Sequence, residues 1–227
     1  MRVRTPRGKR ISRFLPAVVA AGALAACSKG TAGLRPEPAS LPGVSESSAA
    51  AKSLYAVFKT SRGEMEFRLL PQEAPKTVAN FTELASGRKE WTDPATGAGV
   101  RRPLYDGTVF FRVIPGFLIQ GGDPLGTGAG GPGYRLEQEH GSGRRFVKPG
   151  LLAMADSADS SHGSQFFITV DSAPWLNGRN TIFGELVGGI ETARAVSAAA
   201  RVVREGGRFV DRPIVPEILE SVRIEER

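Results

Sequence analysis

The stretch Gly107 to Asp123 reads GTVFFRVIPGFLIQGGD. Its two runs, TVFFRVI and FLIQG, are short and rich in β-branched and aromatic residues, and glycine and proline bound them, so both read as strands. They are apolar almost throughout, yet Arg112 stands at the centre. An unpaired guanidinium is costly to bury, so Arg112 needs a partner or a task.

The same kind of run recurs on both sides. SLYAVFKT from Ser53, the turn Ser61-Arg62-Gly63 and then EMEFRLL, with Met65, Phe67 and Leu69 alternating with charged residues, predict a β-hairpin with one wet face. GLLAMA, QFFITV, TIFGELV and ILESVRIEE supply further strands. Pro75 opens KTVANFTELASG, with Val78, Phe81 and Leu84 on one side and Gly87 past the end, which marks a helix of about three turns. ETARAVSAAA is the other helical pattern, with Ile190, Ala193 and Val196 in a stripe. RKEWTDPATGAGVRRP, residues 88–103, suits an exposed loop or small hairpin. Many short strands with two helices predict a mainly β fold, a closed or nearly closed barrel with the helices covering its ends.

The formal charge of +7 suggests a nucleic-acid partner until the basic residues are located. Arg2, Arg4, Arg7, Lys9, Arg10 and Arg13 all precede Cys27, where there is no acidic residue, and the other 24 basic residues face 23 acidic ones. No nucleic-acid partner is expected. The basic start, the apolar run Phe14 to Ala26 and then Leu24-Ala25-Ala26-Cys27 fit a secretory signal peptide, the run being shorter than the ~20 residues of a membrane span. Cys27 is the single cysteine, and its setting resembles the lipobox of bacterial lipoproteins. The expected organisation is a removed signal peptide over 1–26, a lipidated Cys27 with a disordered tether over 27–52, and a folded domain over 53–227. A tether of that length reaches roughly 25 to 30 Å. The lipid would hold the protein in the cell envelope, on the periplasmic face of an outer membrane where the cell has one and otherwise on the outer face of the cytoplasmic membrane.

Three motifs invite other readings. GTGAGGPG contains G-x-G-x-x-G at Gly126, Gly128 and Gly131, but Pro132 and Gly133 follow it where a dinucleotide site needs a helix, so it reads as a flexible loop. DSADSSHGS, Asp156 to Ser164, places Ser, His and Asp side by side, whereas catalytic triads gather residues distant in sequence, and no G-x-S-x-G elbow is present. His140, with Glu137 and Glu139, lacks a diagnostic metal-ligand spacing. What remains is a set of aromatics, Phe110, Phe111, Phe117, Phe166, Phe167 and Trp175, around Arg112, Gln120 and Gln165. An apolar pocket with a few placed polar groups is the usual composition of a ligand site.

GTVFFRVIPGFLIQGGD and SSHGSQFFITV...WLNGRNTIFGELVGG together resemble the two signature blocks of the cyclophilin family of peptidyl-prolyl cis-trans isomerases, a likeness that spans about Ser53 to Glu226. The resemblance implies a closed eight-stranded antiparallel β-barrel capped by two α-helices, with a proline pocket on the outer face. It implies that Arg112 is the catalytic arginine, that Phe117, Leu118, Phe167 and Leu176 wall the proline pocket, and that Gln120, Ala155, Gln165 and Trp175 fall on binding positions. Asp156 replaces an asparagine whose backbone holds the peptide. Phe111 and Asn180 stand where the family commonly has histidine, which bears on rate and substrate preference; rotating an amide transfers no proton, so the reaction type is unaffected. The implied enzyme works as a monomer on proline-containing unfolded or exported polypeptides and needs no cofactor and no metal. Two rivals come from other classes: a catalytically weak proline-peptide binding module or chaperone, kept open by Phe111 and Asn180, and a structural lipoprotein that only spaces partners from the membrane.

The N-terminal reading is checked directly. Mass spectrometry of the mature protein is expected to find an acylated Cys27, and a free terminus cut elsewhere would contradict the lipid anchor.

Overall fold

The computed structural model describes residues 52–139, 143–155 and 163–227, so Cys27, the tether, His140 and Asp156 lie outside the described residues. The chain opens with β1 (Leu54–Thr60), β2 (Gly63–Leu69) and α1 (Pro75–Ala85), followed by β3 (Trp91–Thr92), β4 (Gly99–Val100), β5 (Thr108–Val109), β6 (Arg112–Ile114) and β7 (Leu118–Gly121). It continues with β8 (Leu151–Met154), β9 (Phe166–Thr169), β10 (Ile182–Gly188), α2 (Ile190–Ser197), β11 (Arg201–Glu205), β12 (Arg208–Pro213) and β13 (Ile218–Glu226).

Nine strands form one strongly curled antiparallel sheet in the order β5-β13-β1-β2-β10-β8-β9-β7-β6. The small hairpins β3–β4 and β11–β12 stand apart from it. The first hairpin and both helices fall where the sequence places them. Met65 and Phe67 are fully buried, as are Phe81 and Leu84 on α1 and Ala193 and Val196 on α2. The 88–103 segment contains a small hairpin, and Trp91 anchors it by burying its ring and donating Nε1–H to the Arg102 carbonyl at 3.0 Å.

The sheet differs from the expected closed ring of eight. TVFFRVI is two strands: β5 pairs with β13 and β6 pairs with β7, so its two halves form the two ends of the hydrogen-bonded ladder. The reason is stagger. A curled sheet offsets the pairing on the two sides of a strand, and the chain changes partners at Phe110–Phe111.

Period-two alternation sorts neighbours to opposite faces. Phe166 and Ile168 enter the main core with Phe58, Phe67, Phe81 and Phe110, while Phe167 joins a second cluster with Leu118, Phe146, Leu151, Ala153, Ala155 and Ile182. That second cluster, flanked by the half-buried Phe117 and Leu176, is the floor of the candidate site.

The glycine-rich loop has a structural owner. Asp123 is fully buried, and its carboxylate accepts the backbone N–H groups of Leu125 at 2.8 Å, Thr127 at 2.9 Å and Gly128 at 2.6 Å. These amides would have to be free to hold a phosphate. Gly130 completes the fit, since a Cβ there would lie 2.0 Å from Asp123 Oδ1. Replacing Asp123 with Asn aims an amide N–H₂ at donors, and Asp123→Asn is expected to lower stability by about 2 to 3 kcal/mol. Urea denaturation measures this, and a loss under about 0.5 kcal/mol would contradict the loop-pinning role.

Candidate active site

The site is built by β-register. On β6 and β7 Arg112 stands opposite Gln120, on β7 and β9 Gln120 stands opposite Phe167, and on β9 and β8 Phe167 stands opposite Ala153. Directly opposed residues of antiparallel strands point to the same face. Arg112, Gln120 and Phe167 therefore form one row across the sheet, with Arg112 and Phe167 about 10 Å apart at the backbone, two strand spacings. Leu118, two residues from Gln120, lies on that face as well.

A shallow pocket of about 250 Å³ covers this row, lined by Arg112, Phe117, Leu118, Gln120, Ala155, Phe167, Leu176, Arg179 and Asn180. Eight of the residues singled out in the sequence meet here, and Arg179 joins them. Phe117, Leu118, Ala155, Phe167 and Leu176 supply apolar wall, and Arg112, Gln120, Arg179 and Asn180 supply polar groups, the mixture that a ligand site uses.

The remaining sequence candidates take other places. Gln165 is 1 % exposed and works behind the pocket: its Nε2 donates to the carbonyls of Gly128 at 3.0 Å and Gly130 at 2.9 Å, and its Oε1 accepts from Gln120 Nε2 at 3.3 Å. Trp175 is 59 % exposed and supports Phe117 with ring centres 5.3 Å apart. Phe110 and Phe166 belong to the main core, and Phe111 is buried against Gly128. Asn180 donates its amide to the Met154 carbonyl at 3.1 Å, so it ties the end of β8 to the loop before β10.

Arg112 is 38 % exposed at its side chain, and its Nε lies 3.7 Å from Asp211 Oδ2. Gln120 donates its Nε2–H to Gln165 Oε1, which holds it beside Arg112 in the row. Two residues escaped the sequence reading. Arg179 carries no pattern beyond its adjacency to Asn180. Phe146, a lone aromatic in the charged string RRFVKPG, is fully buried and stacks on Phe167 with centres 5.7 Å apart. It is fixed there by the bond from its N–H to Asn177 Oδ1 at 2.7 Å and by the Ala173 N–H, which donates to its carbonyl at 2.8 Å.

The sequence profile of the family described as "Cyclophilin type peptidyl-prolyl cis-trans isomerase/CLD" matches residues 55–223. Similar proteins include Peptidyl-prolyl cis-trans isomerase B of Streptomyces anulatus, 52 % identical over 78 % of this chain and 99 % of that one, and Peptidyl-prolyl cis-trans isomerase A of Mycobacterium tuberculosis, 48 % identical over 74 % and 91 %. A crystal structure of a Cryptosporidium parvum cyclophilin type peptidyl-prolyl cis-trans isomerase in the presence of the dipeptide Ala-Pro superposes with a TM-score of 0.62 at 32 % identity, covering 76 % of this chain and 99 % of that one. The chain belongs to the cyclophilin-type peptidyl-prolyl cis-trans isomerase family.

Phe146 offers a test of how the pocket wall is held. Phe146→Leu is expected to cost about 1 to 2 kcal/mol of stability and to weaken binding of an Ala-Pro peptide several-fold, because Phe167 loses its backing ring. Denaturation and calorimetric titration measure the two effects, and unchanged affinity would show that Phe167 holds its place without Phe146.

Proposed function

We propose that this cyclophilin-type enzyme accelerates rotation about X-Pro peptide bonds with Arg112 as its catalytic residue, and the observation that carries the proposal is the row Arg112–Gln120–Phe167 in one pocket of mixed apolar and polar lining. An X-Pro bond interconverts over tens to hundreds of seconds because amide resonance is lost on the way, a barrier of about 18 to 20 kcal/mol. As the bond twists, the prolyl nitrogen becomes a lone-pair acceptor. A guanidinium donor aimed at it bonds the twisted amide better than the planar one, which is the condition for raising the rate.

One charge-assisted hydrogen bond is worth about 1.5 to 3 kcal/mol, roughly ten- to a hundredfold in rate. The rest comes from Phe117, Leu118, Phe167 and Leu176, which clamp the proline ring and disfavour the charge-separated planar amide, and from pairing that holds the flanking residues still. Gln120, Ala155, Gln165 and Trp175 are the proposed peptide-binding residues, with Asp156 in the place where the resemblance has an asparagine that holds the peptide through its backbone. Asn180 gives one amide hydrogen to the Met154 carbonyl and lines the pocket, so its remaining donor and acceptor face the proposed peptide site.

The finer reading of the fold is a barrel that closes through the chain itself, because β5 and β6 are halves of one segment. The substrates proposed are proline-containing stretches of exported polypeptides, met by a monomer tethered through the lipidated Cys27 in the envelope. The support for that is the sequence before residue 52.

Arg112→Lys keeps the charge and loses the planar fork, so kcat is expected to fall about tenfold or more with little change in its salt dependence. A lysine variant near wild type and strongly salt-sensitive would point to charge steering instead. Phe167→Ala is expected to damage both kcat and peptide affinity by emptying the pocket wall.

A further inference from the structure

The hairpin β11–β12 lies outside the main sheet and packs against β6. It brings Asp211 to Arg112. The Asp211 side chain is 9 % exposed, and its two oxygens are divided between two cations: Oδ1 accepts from Arg201 Nε at 3.3 Å, and Oδ2 stands 3.7 Å from Arg112 Nε. Asp211 also has φ of 49°, the one positive φ outside glycine among the described residues. Aspartate is one of the few non-glycine types that enters the left-handed region readily, so the residue suits this turn of the hairpin.

We propose that Asp211 is a positioning residue for Arg112. The proposal rests on the isomerase reading of Arg112 given above. Asp211 forms an ion pair with Arg112 from the Nε side at 3.7 Å, and Arg112 itself lines the pocket. An arginine at a half-open site otherwise spreads over many rotamers, and fixing one edge removes that freedom before the substrate arrives. Arg201 has a second part in the arrangement. A buried carboxylate needs compensation, and Asp211 divides its two oxygens between Arg201 and Arg112.

Asp211→Asn separates this role from a merely structural one. Asparagine matches aspartate in shape and tolerates the left-handed region as well, so the hairpin conformation is preserved while the charge is lost. On the full chain with an Ala-Pro peptide, kcat is expected to fall about fivefold with KM within about twofold. In an Arg112→Ala background the same substitution is expected to change kcat by less than about 1.5-fold, since there is no guanidinium left to hold. An unchanged kcat, or an equal loss in both backgrounds, would overturn the proposal. Should Asp211→Asn fail to fold, the wild-type protein still decides: by ¹⁵N NMR the Nε–H of Arg112 is expected to exchange with water more slowly than that of exposed Arg179, and equal exchange would overturn it. The Arg112→Ala control tells the two claims apart. If it leaves the rate unchanged, the isomerase reading of Arg112 falls; if it abolishes the rate while Asp211→Asn does nothing, only the role of Asp211 falls.

Discussion

Everything at the site depends on the pairing register of β6, β7 and β9. Because side chains alternate faces, a slip of one residue between β6 and β7 would turn Arg112 into the core and send Val113 to the pocket. The apolar interior forbids that slip, since Val113 and Ile119 are fully buried and paired with each other. The core thus sets where the arginine points. Gly122 contributes at the end of β7: it holds φ of 81°, and a Cβ there would lie 2.5 Å from the Ser164 carbonyl, so the turn that carries the chain from β7 to Asp123 needs glycine.

The two faces of the sheet divide the labour between stability and chemistry. Phe166 and Phe167 are adjacent, alike in type and both nearly inaccessible, yet one packs edge-on to Phe58 with centres 5.3 Å apart and the other forms the pocket wall. The pocket floor is therefore as rigid as the core behind it, which suits a catalyst that must hold a proline ring while the bond beside it turns. The polar groups are fixed by different means. Gln120 is held through Gln165 and the glycine loop, that loop is held by Asp123, and Arg112 is met by a hairpin that the main sheet does not include.

Much of this was legible in the sequence because it is local. Strand alternation in EMEFRLL, the Pro75-to-Gly87 frame of α1 and the anomalous arginine in FFRVI each carry their meaning within a dozen residues. Less legible was anything decided by a distant partner. TVFFRVI reads as one strand, and only the stagger of the sheet shows that it serves two neighbours. The β11–β12 hairpin has a signal, Gly206-Gly207 between RVVRE and RFVDRP, but arginines interrupt its apolar alternation and the pattern is weak. Nothing near Asp211 announces Arg112. Phe146 looks like a solvated loop residue until Asn177 and Phe167 close around it. Trp175 and Gln165 fall on binding positions by resemblance; in the structure Gln165 is buried against Gln120, and exposed Trp175 packs beside Phe117.

The central claim is that Arg112 acts on the twisted amide more than on the bound peptide. Exchange NMR on an Ala-Pro peptide saturated with enzyme reads both quantities in one sample, as the cis–trans rate of the bound peptide and the fraction bound. With Arg112→Ala the account predicts an affinity within about threefold of wild type and a bound-state exchange rate at least about tenfold slower. Bound-state exchange as fast as in wild type, with the affinity lost, would contradict it and leave a pocket that captures proline without turning the bond.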